Sequence, residues 1–420
     1  MIRKEVLRNG LTLLTESMPH VRSVTVGVWL RRGSRNEPSR LNGISHFIEH
    51  LVFKGTKSRT AREIALSMDS VGGQIDALTS REYTCFYAKV LDQHLDEAVD
   101  LLADIVQHPL FDPEELERER QVVLEEIRMV EDTPDDLIFD LFSGEFYPRQ
   151  TLGRPIQGTA ETVSGFTRRQ LLGFFKGCYR PQNMLVAAAG NLRHAKLSKL
   201  VRHSFRSLVG TRRREPKLPK PRVHCGVVKK AKNELAQLHL LLGLPAFRKD
   251  FAGRYALYVL NTVLGGTMSS RLFQRIREER GLAYSVYSAL SGYVDTGCLV
   301  IYAATHPDNG AEVIRLALEE LKSLRADGPT EIEFDVAREH LKGSLMLGLE
   351  STSSRMSNLA RQEIYLHRQQ SLAETLRWID SVTMEKVHRL AREIMRDSRV
   401  GLAAVGRVGR LRVKSEALQL

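Results

Sequence analysis

Apolar positions along this chain alternate with polar ones, or recur every three to four residues, in an order of elements that occurs twice. In the first half the pattern predicts a strand over Ser23 to Leu30, helices over Ile44 to Phe53 and Ala61 to Val71, and a strand pair from Gln74 to Val90. Helical periodicity follows near 92–106, 113–131 and 167–176, and an apolar strand runs from Met184 to Ala189. The second half predicts a strand over Gln237 to Leu244, helices near 254–264 and 270–279, strands near 283–290 and 298–304, further helices, and a last strand around Val400 to Val405. The closing strands even match in letters: Met-Leu-Val-Ala-Ala-Ala-Gly-Asn-Leu at 184–192 against Val-Gly-Leu-Ala-Ala-Val-Gly-Arg-Val at 400–408. Two copies of one α+β unit account for this order.

Periodicity is lost at 211–222, where three prolines stand among basic residues. The segment reads as an exposed, semi-extended linker between a first domain, 1–210, and a second, 223–420. A length of 420 residues with 42% apolar content suits two such cores.

The 62 Lys and Arg outnumber the 50 Asp and Glu, giving a net charge of +12 that invites a nucleic-acid reading. No basic helix or base-stacking aromatic motif supports it, and the excess is spread over the linker, helix faces and the run from Arg407 to Lys414. Cys85, Cys178, Cys225 and Cys298 lie far apart without a Cys-x-x-Cys pair, which fits a reducing compartment. The N-terminus lacks an apolar signal core, and no apolar run approaches the roughly 20 residues needed to span a bilayer. A cytosolic location or a matured organelle-matrix form is expected, and these residues leave both open.

The chemistry concentrates in residues 42–55. Ile44, Phe47, Ile48, Leu51 and Val52 make one buried helical stripe, and on the adjoining face His46 and His50 stand one turn apart with Glu49 close to the same line. Two imidazoles at this spacing can converge on one metal ion, and His-x-x-Glu-His is the inverse of the commoner zinc-protease helix. A hydrolytic zinc needs a third protein ligand. The acidic segment starting at Phe111 offers candidates: Asp112 as N-cap, Pro113 at the first helical position and Glu115 begin a helix. Periodicity leaves Glu119, Glu125 and Glu126 all open as the donor.

These residues resemble the inverzincin metallopeptidases, the family of pitrilysin, insulin-degrading enzyme and the mitochondrial processing peptidase, and are most similar to its single-chain bacterial members that look like the processing-peptidase β subunit. The likeness runs from Asn9-Gly-Leu-Thr-Leu-Leu-Thr-Glu through the 43–56 segment into the second half. It implies two homologous domains that form half of a clamshell, each a mostly antiparallel sheet with helices packed on it. It further implies one Zn2+ per chain held by His46, His50 and Glu126, with Glu49 as general base and Glu119 in support. The 72–87 segment, with Asp76 and Ala77 where the family usually has Asn before Ala, corresponds to an edge strand that binds substrate by main-chain pairing. Arg277 and Tyr284 correspond to a pair that contacts substrate carbonyls. The duplicated helix at 254–264 has neither His nor Glu, so the second copy is expected to hold no metal. The resemblance points to an endopeptidase for unfolded peptides or presequence-like segments, enclosed in a homodimer or in a heterodimer with an inactive homologue. A catalytically silent scaffold of the same fold is the alternative.

Overall fold

The computed structural model describes residues 2–210, 218–396, 399–413 and 418–420. Residues 211–217 of the expected linker and Lys414 of the basic C-terminal run lie outside them.

Among the described residues the strands form two sheets. The first contains β1 (Ile2–Val6), β2 (Thr12–Ser17), β3 (Ser23–Leu30), β4 (Gln74–Thr79), β5 (Thr84–Leu91) and β6 (Met184–Gly190), in the order β1-β2-β6-β3-β5-β4. The second contains β7 (Val227–Ala231), β8 (Leu238–Ala246), β9 (Ala283–Gly292), β10 (Gly297–Thr305) and β11 (Gly401–Gly406), in the order β7-β11-β8-β10-β9. Apart from β1, the two orders correspond strand for strand. Each sheet has one parallel pair at the same place, β2 with β6 and β7 with β11, and is otherwise antiparallel. The duplicated α+β order expected from the hydrophobic pattern and the mostly antiparallel sheets implied by the resemblance are therefore the observed architecture.

Burial explains why β6 and β10 were readable. All seven residues of β6 and all nine of β10 are buried, so both faces are apolar and the sequence runs hydrophobic without alternation. At the sheet edge, β4 instead alternates exposed and half-buried residues. Two stretches differ from the predicted helices. The helix Arg254–Asn261 loosens into a wide turn over Thr262–Gly266, because Gly265 leaves helical geometry where a Cβ would lie 2.5 Å from the Ser288 backbone nitrogen. The helix expected near 270–279 is likewise wide-turned over Phe273–Glu278.

The chain divides into two compact units that do not follow a single cut near residue 211. One comprises Met1–Arg128, Arg154–Leu218 and Gly348–Gln369; the other comprises Met129–Gly153, Pro219–Leu347 and Gln370–Leu420. In the first unit, helices including Ile44–Leu51 and Leu95–Gln107 build the main core on one face of the sheet. The other face is covered by helix Thr352–Leu366, from the second half of the sequence, whose Met356, Leu359, Ala360 and Ile364 pack with Leu14, Trp29, Leu185 and Ala187. In the second unit, helix Pro134–Phe146, from the first half, does the same, its Leu137, Ile138, Phe142 and Phe146 packing with Leu241, Val300, Tyr302 and Ala403. Each half of the sequence thus lends one helix to the other's sheet.

Glycines on the corresponding strands β3 and β8 receive these borrowed helices. A Cβ on Gly27 would lie 3.0 Å from Met356 Sδ, and one on Gly243 would lie 2.1 Å from Phe142 Cζ. No helix among the described residues is long and apolar enough to cross a membrane.

Candidate metal centre

Helix Ile44–Leu51 buries Ile44, Phe47, Ile48 and Leu51 against the first core, each worth roughly 2 kcal/mol of apolar transfer. That anchorage fixes the rotation of the helix and turns His46, Glu49 and His50 out of the core. Its start is built from groups the sequence reading missed. Gly43 has φ of 92° and lies so close to Gly158 that a Cβ would come within 2.7 Å of the Gly158 Cα. Glu37, 3% exposed, accepts hydrogen bonds from the backbone N–H of Gly43 and of Ser45, both at 2.8 Å, and from Asn42 Nδ2 at 3.2 Å. Burial pushes its carboxyl up to about 7, against the pull of the Ser45 and Gly43 amides. Upstream, Arg35 and Glu82 form a buried ion pair at 2.5 Å. Neither Glu37 nor Arg35 belongs to a periodic pattern, so no signal in the sequence marked them.

Helix Pro113–Asp132 begins after Phe111, a buried residue at φ 47°, with Asp112 Oδ1 accepting from the N–H of Glu114 and of Glu115. The three open acids separate at once. Glu125 is exposed and pairs with Arg128. Glu119 is buried, with Oε2 3.1 Å from His50 Nδ1 and Oε1 2.6 Å from Lys54 Nζ. Glu126 reaches both histidines: its Oε2 is 3.6 Å from His46 Nε2 and 3.4 Å from His50 Nε2.

The donor atoms of His46, His50 and Glu126 all lie within 4.8 Å of one another, and this is the metal-capable cluster found among the described residues. Those spacings are long for hydrogen bonds. They suit the edges of a tetrahedron, which measure about 3.4 Å when metal–ligand bonds are about 2.1 Å. The donor set of two imidazoles and one carboxylate is the kind zinc accepts with a fourth position open, so the residues present fit such an ion.

Electrostatics prepare the same atoms. Burial, helped by the neighbouring His50, lowers His46 to about 4, leaving its ring neutral with a lone pair free at neutral pH. For His50, burial works downward but the carboxylates of Glu119, Glu126 and Glu49 outweigh it and raise its pKa. Glu119 is pushed up by burial and drawn further down by His50 and Lys54, so it stays ionised. Burial pushes Glu49 up to about 7, with Thr79 and His50 pulling it back and Asp76 and Glu126 adding to the rise. Its Oε2 is buried without a hydrogen-bond partner among the described residues.

Strand β4 lies at the edge of the first sheet beside this helix. Asp76 stands opposite Tyr87 and Ala77 opposite Phe86 on β5. The Ala77 N–H donates to Asp76 Oδ1 at 2.8 Å, and Tyr87 Oη donates to Asp76 Oδ2 at 3.2 Å. In the second unit Arg277 and Tyr284 meet each other: the guanidinium sits 5.0 Å from the Tyr284 ring centroid and 4.7 Å from that of Phe273. Tyr284 is 77% exposed on β9, itself an edge strand.

A duplicated α+β chain with an inverted His-x-x-Glu-His helix and an acidic donor on a second helix defines a class, and comparison with known proteins gives it a family. Residues 12–160 match the model of insulinase, peptidase family M16, and residues 165–341 match that of the peptidase M16 inactive domain. Among similar sequences is the protein named "Uncharacterized zinc protease YmxG" of Bacillus subtilis, 44% identical over 94% of this chain and 96% of that one. "Uncharacterized zinc protease Rv2782c" of Mycobacterium tuberculosis is also 44% identical, over 99% of this chain and 96% of its own length. Among solved structures, a protease from Helicobacter pylori superposes with a TM-score of 0.91 at 24% identity, covering 96% of this chain and 99% of that one. The peptidase M16 inactive domain from Pseudomonas fluorescens gives 0.89 at 19% identity, covering 97% and 98%. The chain belongs to the M16, or insulinase, peptidase family.

Proposed function

We propose that this protein is a zinc-dependent endopeptidase in which His46, His50 and Glu126 hold one Zn2+ and Glu49 is the general base. The observation that carries the reading is the spacing of the three donor atoms, with Glu126 Oε2 3.4 and 3.6 Å from the two imidazole nitrogens. A bound zinc supplies an activated water and a Lewis acid for the scissile carbonyl. The chain's own part is to bind and to move a proton. Glu49, half-buried on the helix of both imidazoles, takes a proton at its carboxylate and returns it to the leaving amine. Glu119 holds His50 through Nδ1, so that Nε2 is the atom left for the metal. Edge strand β4, with Asp76 and Ala77, offers main-chain groups to an extended peptide, which favours unfolded or presequence-like substrates over folded ones. Arg277, half-buried against the exposed ring of Tyr284, suits peptide carbonyls together with it.

We extend the proposal to a cytoplasmic homodimer that encloses its substrate, with pairing to an inactive homologue as the alternative assembly. A second functional reading, a catalytically silent scaffold of the same fold, draws on the likeness of residues 165–341 to a domain described as inactive. The retention of His46, Glu49, His50 and Glu126 in one half speaks against it.

Metal analysis and a chelator-sensitive peptide-cleavage assay, run on size-fractionated protein beside Glu49→Gln, test the proposal. One zinc per chain, cleavage by a two-chain species, and loss of roughly 100-fold or more in kcat with zinc retained in the variant are expected. Absence of both zinc and cleavage from the wild-type protein would return the scaffold reading to first place.

A further inference from the structure

We infer that Lys54 is a positioning residue for the metal centre, acting through Glu119 on His50; the inference rests on the zinc reading above. Both oxygens of the Glu119 carboxylate are committed, Oε1 to Lys54 Nζ at 2.6 Å and Oε2 to His50 Nδ1 at 3.1 Å. The carboxylate side chain is 6% exposed, so water contributes little to holding it, while the Lys54 side chain is 34% exposed and bridges from solvent to the buried group. Without Lys54 the carboxylate would keep His50 as its one charged neighbour in this chain of contacts and would be free to turn. The His50 ring would then lose the constraint that points Nε2 at Glu126.

The backbone around Lys54 is built to hold this geometry. Its N–H donates to the Leu51 carbonyl at 3.1 Å, continuing the last turn of the metal helix, where a cation also suits the carbonyl-rich helix end. The next residues are pinned to the strand-like segment before the ligand helix: Leu110 N–H donates to Gly55 C=O at 3.1 Å and Lys57 N–H to His108 C=O at 3.2 Å. Lys54 therefore joins the helix of His46 and His50 to the helix of Glu119 and Glu126 by a charge pair at one end and by its own main chain at the other. A surface ion pair between two helices contributes little. This one differs because its carboxylate is buried and its second oxygen is bonded to a residue of the donor cluster.

The test is zinc affinity by chelator competition, with the visible spectrum of the Co2+-substituted protein, for wild type, Lys54→Met, Lys54→Arg, Glu119→Gln and the Lys54→Met/Glu119→Gln double variant. Lys54→Met is expected to weaken zinc binding by about 10-fold or more and to alter the Co2+ bands. Lys54→Arg, which keeps the charge, is expected to recover most of that loss, and the double variant to bind no more weakly than Glu119→Gln alone. Lys54→Met affinity within about twofold of wild type with an unchanged Co2+ spectrum overturns the inference, since outer-shell partners normally act at 10-fold or more. Losses that simply add in the double variant overturn it as well, because Lys54 would then not act through Glu119. Should Lys54→Met fail to fold, Lys54→Gln takes its place: a loss of about 10-fold or more with altered Co2+ bands supports the role, and affinity within about twofold of wild type opposes it. A wild-type chain that takes up no zinc sinks the peptidase reading first, and the role of Lys54 with it.

Discussion

Glu119 and Glu126 stand seven residues apart on one helix, yet one accepts from Nδ1 of His50 and the other faces Nε2 of both histidines. Their difference lies in depth, since Glu119 is buried and Glu126 only partly so. The same logic applies to Asp104, whose Oδ2 accepts from Thr56 Oγ1, Ser58 Oγ and Arg59 Nη1, all at 2.7 Å, and so fixes the loop that follows helix Ile44–Leu51. Burial would raise its pKa, but these donors outweigh burial and hold it below the ordinary 3.8. A carboxylate lowered in the folded state stabilises the fold above its unfolded value, and that contribution disappears as pH falls below 3.8 through the lowered native value. Thermal melts from pH 7 downward should therefore show a steeper acid loss in wild type than in Asp104→Asn, and parallel curves would contradict this. At this scale, spacing exposes only what is local. His46, Glu49 and His50 share a helix and were readable from it, whereas the choice of Glu126 over Glu125 needed the neighbouring helix or a family likeness. Lys54 and Glu37 meet their partners through tertiary contacts that no period encodes.

The two borrowed helices solve one packing problem in the same way. Each rests a large side chain, Met356 or Phe142, over a glycine in a strand that is central to its sheet. Trp29 adds an Nε1–H donor to Met356 Sδ at 3.1 Å, and Thr25 and Thr352 hydroxyls meet at 2.9 Å, which fixes the register of helix Thr352–Leu366. Gly243→Ala would bring a Cβ to 2.1 Å from the Phe142 ring, and calorimetry should find it destabilised by about 1–3 kcal/mol. Phe142→Ala should lose about 3–5 kcal/mol, and the double variant less than the sum, because the small side chain at 142 leaves room for the new methyl. Strict additivity would mean that the ring does not rest on this glycine. Helix Pro134–Phe146 was not anticipated, since its apolar residues lie on several sides and lack a single stripe: Leu137, Ile138, Phe142 and Phe146 are buried while Phe139 and Leu141 are half-buried. The short strand β1 escaped for the opposite reason, as it is largely exposed and carries little pattern, whereas β2 is mostly buried but short and mixes Thr with Leu.

Across the whole molecule, duplication was legible because both sheets repeat one order of elements, and the exchange of helices was not, because periodicity reports a buried face without saying which sheet buries it. The exchange has a direct test. Segments 1–210 and 223–420 produced separately each lack one covering helix, and solubility assays should find both aggregated, with soluble protein recovered when they are produced together. Two independently soluble, monomeric halves would contradict the importance of the exchange. It also sets a clock on biosynthesis. A ribosome that has finished Gly190 has made every strand of the first sheet, yet the helix that shields Trp29 is complete only at Leu366. At the usual ~5–20 residues per second, that apolar sheet face waits roughly 10–35 s for its cover. Throughout that interval the sheet face is without its native cover, so slowing translation between Gly190 and Leu366 is expected to lower the soluble yield of this protein.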